Sequence, residues 1–218
     1  MHRTLSLTAR RTVAIIAAAA AITIGVSACS STPESAPAPA NETPAPTAEA
    51  AAPNSAEADA MLAAQGLDGL DSRALVDTLD ATALSERPEG LIASVRPDEL
   101  LLTDATGAEA SVPMPDDAFY VSFAPYVDTT HECYFHSLTT CVGELQGEQI
   151  DVVVTDSATG EVLVDETMTT FDNGFVGVWL PRDIDADVTV EHDGLSASTT
   201  VSTSNADDAT CITTMQLA

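Results

Sequence analysis

Beyond Pro125 the chain carries no helical periodicity. It runs instead through short strand-like stretches at 142–146, 149–155, 161–169, 174–180, 187–192, 195–202 and 210–217. Turn signals separate them at Ser157-Ala158-Thr159-Gly160, Asp172-Asn173-Gly174 and Asp193-Gly194, where glycine, aspartate and asparagine tolerate the backbone angles a hairpin needs. Such a series predicts an antiparallel β-sandwich over 128–218. The stretch before it reads differently. Leu70, Ala74, Leu75 and Leu79 recur at helical spacing, and Asp71-Ser72 offers an N-terminal cap, so helices are expected over Asp59–Gln65 and Asp71–Leu84. Alternating runs follow at Leu91–Arg96, Glu99–Thr103, Glu109–Met114 and Phe119–Ala124. The fold class is therefore α+β, with a small helix-plus-antiparallel-sheet domain at 59–127 ahead of the sandwich.

The chain begins with Arg3, Arg10 and Arg11, no acid, and an uncharged apolar run from Thr12 to Val26. That run is short for a transmembrane helix and has the shape of an export signal. It ends in Val26-Ser27-Ala28-Cys29, which looks like a bacterial lipobox. Residues 1–28 are thus expected to be a lipoprotein signal peptide and Cys29 the lipidated anchor. Residues 29–58 are rich in Ala and Pro and hold Pro33, Pro37, Pro39, Pro44, Pro46 and Pro53. They cannot bury enough apolar surface to fold, and are expected to be a disordered tether. The expected location is the extracytoplasmic side of a membrane.

Removing the signal takes away three arginines and no acid, so the formal net charge falls from −27 to −30. Only Arg73, Arg87, Arg96 and Arg182 remain, and there is no lysine. Such a surface repels phosphate, which excludes nucleic acid as a partner. The carboxylates are scattered, and no calcium loop is present, since Asp183-Ile184-Asp185-Ala186-Asp187 lacks the glycine and terminal glutamate of an EF-hand.

With Cys29 assigned to the anchor, three cysteines are left: Cys133, Cys141 and Cys211. An odd number cannot pair completely within one molecule. If 130–135 is extended, His131 and Cys133 share a face, and His136 joins them only after a turn. Cys211 and Met215 share a face of the last strand in the same way. Thiolate sulfur selects Cu(I), and imidazole suits copper or zinc. Bringing the three cysteines together would give a trigonal thiolate site. A disulfide of Cys133 or Cys211 with Cys141, leaving a bystander thiol, is an equal expectation for an exported domain. Intermolecular pairing is a third. Met215 alone reads as a core methionine.

The run Cys133-Tyr134-Phe135-His136-Ser137-Leu138-Thr139-Thr140-Cys141-Val142-Gly143-Glu144-Leu145, followed by Cys211-Ile212-Thr213-Thr214-Met215-Gln216-Leu217, closely resembles the CueP family of bacterial copper-resistance proteins. The resemblance spans Asp71 to Leu217. It implies that Cys133, Cys141 and Cys211 are the copper-associated cysteines, with His131 and His136 as nearby ligand candidates. It also implies a cell-envelope protein with two domains, the smaller one mediating homodimerisation. The lipobox and tether depart from the soluble periplasmic form of the family. The expectation is an anchored protein that captures copper and holds it as Cu(I), for resistance or for delivery to a copper-receiving envelope enzyme. Two thiols could reduce two Cu(II) ions while closing into a disulfide, unless an external thiol reductant restores them.

Two other classes compete. A thiol-disulfide oxidoreductase would use Cys133 and Cys141, but the Cys-x-x-Cys spacing at a helix start is absent. A disulfide-stabilised structural module would have no metal affinity. No Ser-His-Asp set, phosphate loop or paired catalytic carboxylates stand out, which argues against a hydrolase or transferase.

Overall fold

The computed structural model describes residues 55–218. The signal, the tether as far as residue 54, and Cys29 lie outside the described residues. Among the described residues no helix is long and apolar enough to cross a membrane.

Two helices open the described chain, α1 at Ser55–Ala64 and α2 at Ser72–Asp80. Asp71 caps α2 as its sequence suggests, its side chain accepting the Ala74 N–H and satisfying one of the free donors at the helix start. The helix buries Leu75, Val76 and Leu79 together with an acid, Asp80. It ends at Asp80, four residues short of the expected boundary at Leu84.

Ten strands follow: β1 Leu91–Val95, β2 Glu99–Asp104, β3 Glu109–Pro113, β4 Ala118–Phe123, β5 Gln149–Asp156, β6 Val162–Thr169, β7 Val176–Pro181, β8 Asp185–His192, β9 Leu195–Ser202 and β10 Cys211–Ile212. They form three sheets, ordered β1-β2-β3, β10-β4-β7 and β6-β5-β8-β9. The α+β class is as the sequence suggests. Alternation sets the inward faces of the largest sheet, with Ile150, Val152 and Val154 of β5 and Ala186, Val188 and Val190 of β8 all buried.

Strand β4 is buried along its whole length, because its two faces serve two cores. Phe119, Val121 and Phe123 belong to the apolar cluster that includes β5, β7 and β8, whereas Tyr120 belongs to the cluster of α1, α2 and the β1-β2-β3 sheet. The expected division at residue 127 puts β4 with the helices, yet its hydrogen bonds go to β7 and β10. Arg182 adds a second tie, donating to the carbonyls of Pro97, Pro115 and Ala118 and pairing with Asp98 at 2.9 Å.

Three segments differ from the strand pattern expected of them. Residues 130–135 and 142–146 are loops, and the last strand is only Cys211–Ile212, paired parallel to β4. The reasons lie in competing backbone partners. The Tyr134 carbonyl accepts the N–H groups of both Thr210 and Cys211, so 130–135 is fixed by a loop contact and not by a ladder. Gly143 packs against Gly174, whose φ is 76°; a Cβ on Gly143 would stand 2.8 Å from the Gly174 carbonyl oxygen. This approach, sealed by the Gly143 N–H to Asn173 carbonyl bond at 2.6 Å, turns 142–146 away from strand geometry.

Candidate metal centre

The segment 136–139 is docked on the open edge of β1. The Val95 N–H donates to the His136 carbonyl at 2.7 Å, the Leu138 N–H to the Ala93 carbonyl at 2.9 Å, and the Ala93 N–H to the Thr139 hydroxyl at 3.2 Å. Thr210, just ahead of β10, accepts the His136 N–H on its hydroxyl and donates that hydroxyl to the Val95 carbonyl. One threonine therefore holds His136 and Cys211 in register. The turn Ser137–Cys141 closes through the Cys141 N–H to the Ser137 carbonyl at 3.0 Å, bringing Cys141 back toward Cys133.

This framework gathers four donors. One ligand atom from each of Cys133, His136, Cys141 and Cys211 lies within 4.8 Å of all the others. Cys133 and Cys211 are joined as a disulfide with Cα atoms 5.7 Å apart, and Cys141 is a free thiol. Its Sγ sits 3.5 Å from Cys133 Sγ, and Cys211 Sγ is 3.7 Å from His136 Nδ1. Phe175 forms an apolar floor with Ala124 beneath the sulfurs. Its ring lies 4.4 Å from that of His136.

His136 is fully buried, and its other nitrogen, Nε2, is 2.9 Å from Asp80 Oδ1. Asp80 is equally buried and also receives the Tyr120 hydroxyl at 2.5 Å and the Asn173 amide at 2.8 Å. A carboxylate on the far nitrogen of an imidazole fixes which nitrogen faces a metal. Nδ1 is thereby directed at the cysteines. Burial alone would depress the His136 pKa, but the charge and hydrogen bond of Asp80 push it up to about 9.

Burial likewise would raise the Cys141 thiol. The His136 imidazolium, the Ser137 N–H and Arg87 outweigh it and leave Cys141 below its ordinary value. Arg87 also donates to the Cys141 carbonyl at 2.9 Å. In a chain with so few cations, one of them stands directly behind the free thiol.

Two open clefts reach this cluster. One, of about 450 Å³, is lined by His131, Cys141 and Glu144; the other, of about 320 Å³, by Tyr126, His131 and Cys133. His131 lines both but is not in the four-donor group. Its ring stands edge-on to Phe175 at 6.1 Å, and its buried Nε2 has no hydrogen-bond partner. Met215 is buried in the larger apolar core.

Asp80 escaped the sequence reading, as did its companions Tyr120 and Asn173. A signal was there: Asp80 follows Val76 by four residues, on the stripe that α2 buries. An acid on an apolar stripe requires a partner.

The model of the family described as periplasmic copper-binding protein CueP matches residues 74–216. The chain belongs to the CueP family. A crystal structure of S.CueP is similar, with a TM-score of 0.68 and 40% sequence identity, covering 74% of this chain and 97% of that one. No curated protein matches. Copper binding outside the cytoplasm is thus the family-level function, and a cysteine and histidine cluster able to hold a metal ion accompanies it.

Proposed function

We propose that the chain captures copper and holds it as Cu(I) on the thiolates of Cys133, Cys141 and Cys211, with His136 Nδ1 as an adjoining donor. The observation that carries this reading is the convergence of those four donor atoms within 4.8 Å. Three soft sulfurs and one imidazole on an apolar floor suit Cu(I), which accepts low coordination numbers and needs no water. Asp80 holds the imidazole in place. His131 lines both clefts, and a turn of its ring that exposes the buried, unpartnered Nε2 makes it a ligand for copper on its way in or out.

The disulfide belongs to the same cycle. With Cys133 and Cys211 bonded to each other, only one thiol is left to ligate. Two electrons must enter before the trigonal site exists, from an external thiol reductant. In the opposite direction, two thiols closing into a disulfide release two electrons, enough to reduce two Cu(II) ions to Cu(I). Lipidation at Cys29 anchors the domain to the membrane on the extracytoplasmic side, and residues 29–58 act as its tether. Copper held there is kept from harm or passed to a copper-receiving envelope enzyme. The small domain at 59–127 is the expected homodimer contact.

Anaerobic titration of the reduced protein with Cu(I) against a competing chelator tests the site. One tight equivalent is expected, weakened by Cys133→Ser, Cys141→Ser and Cys211→Ser alike. Full affinity in all three variants would remove the trigonal site.

A further inference from the structure

The Cys133–Cys211 disulfide poses a problem of access. Cys211 is only 2% exposed, so a reductant can attack this bond only at Cys133, which is itself half-buried, and the bond must open before all three thiols are free. Cys141 offers the way out. Its free Sγ is 3.5 Å from Cys133 Sγ, the central sulfur of the cluster, and it lines the wall of the larger cleft. Cys133 lines the second cleft.

We propose that Cys141 is an internal exchange thiol that moves the disulfide from the buried pair Cys133–Cys211 to the cleft-side pair Cys133–Cys141. There an external dithiol reduces it. The first step is redox-neutral. The Cys141 thiolate attacks Cys133 Sγ, a Cys141–Cys133 bond forms, the Cys133–Cys211 bond breaks, and the electron pair leaves on Cys211. The proton given up by Cys141 ends on Cys211, whose sulfur lies beside His136 Nδ1 at 3.7 Å. In the second step a thiolate of the dithiol attacks Cys141 Sγ from the cleft and releases Cys133. The dithiol's second sulfur then displaces Cys141 and leaves oxidised. Two electrons have entered, and three thiols remain.

The seven intervening residues are built for this exchange. The Ser137–Cys141 turn and the β1 contacts of 136–139 hold Cys141 Sγ 3.5 Å from Cys133 Sγ but beside the Cys133–Cys211 bond and not in line with it, so that a rotation of the Cys141 side chain precedes the attack. An attacking group held in place acts at a high effective concentration, far above that of a reductant in solution. The proposal does not depend on the copper reading and holds whether or not the metal binds.

The test uses the full chain carrying Cys29→Ser, so that only the three cysteines are present, and no copper. Dithiothreitol is added to the oxidised protein, and samples are quenched in acid, where thiols are protonated and exchange stops. Pepsin digestion without reduction then maps the linkages. Wild type is expected to show both Cys133–Cys211 and Cys133–Cys141 linkages. The Cys141→Ser variant should lose its disulfide about tenfold more slowly or worse. An equal rate in the two proteins overturns the proposal, whatever the map contains. A slower variant whose wild-type map shows Cys133–Cys211 alone also overturns it, because the substitution would then act on the cleft and not through exchange.

Discussion

Asp80 Oδ1 and His136 Nε2 lie 2.9 Å apart, with both side chains fully buried. Helix α2 supplies the carboxylate, while the loop docked on β1 supplies the ring. Removing one partner of a buried pair leaves an uncompensated polar group, which costs about 3–5 kcal/mol. Asp80→Ala should lower the unfolding free energy from urea titration by that amount, and the urea midpoint with it. Asp80→Asn, which keeps the shape and one acceptor, should lower it less. If His136 Nδ1 is a copper donor, both variants should also weaken Cu(I) binding, by about 10–100-fold. A wild-type midpoint in Asp80→Ala would mean that the pair contributes nothing to the fold.

The same pair gives stability a pH dependence of definite sign. His136 is raised from 6.5 to about 9, so its contribution is complete below 6.5 and is lost as the pH rises through about 9. Burial alone would raise Asp80, but the His136 charge and its bonds from His136, Tyr120 and Asn173 hold it below 3.8. Its contribution is complete above 3.8 and is lost as the pH falls toward that lowered value. The stability difference between wild type and Asp80→Asn should therefore plateau between 3.8 and 6.5 and shrink on the alkaline side. Urea midpoints of both proteins from that plateau up through about pH 9 measure it. A difference that grows toward high pH would reverse the assignment.

Cys141 should ionise more readily than an ordinary cysteine. Burial works against ionisation, and the His136 imidazolium, the Ser137 N–H and the Arg87 guanidinium work for it, leaving the thiol below 9.0. The rate of iodoacetamide alkylation followed against pH should have its midpoint below that value. His136→Asn removes the largest favourable influence and should move the midpoint upward, while Arg87→Gln should move it less. An unchanged midpoint in His136→Asn would place the cause elsewhere.

The site was legible in part because cysteine spacing survives any error about strands. Cys133, His136, Cys141 and Cys211 converge although neither segment is the strand its alternation suggests. Period-two patterning located β5 to β9 well, since β5, β7 and β8 each carry an alternating buried face, and Gly160 and Gly194 turn the β5–β6 and β8–β9 hairpins with positive φ. It failed at 130–135 and 213–217, where alternation exists but long-range contacts take the backbone. Thr130 donates to the Thr213 carbonyl, and the Tyr126 N–H goes to the Met215 carbonyl. His131 drew notice through its neighbours alone, and lies beside the cluster instead of in it. Asp80 precedes His136 by more than fifty residues, and no local pattern links an acid on a helix stripe to an imidazole at that distance.

Gly177 supports the cluster from a strand away. It sits in β7 opposite Ser122 of β4, and the Tyr120 side chain lies directly over its Cα, so that a Cβ would strike the ring and hydroxyl. The absence of a side chain there lets Tyr120 reach Asp80. Gly177→Ala should push Tyr120 aside, at about 1–3 kcal/mol for overpacking, and deprive Asp80 of one donor. If collision with Tyr120 is the cause, the cost of Gly177→Ala should be much smaller in a Tyr120→Ala background, and the two changes should couple by more than about 0.5 kcal/mol in a double-mutant cycle. Additive costs would show that Gly177 is needed for its strand alone, and that Tyr120 reaches Asp80 without its help.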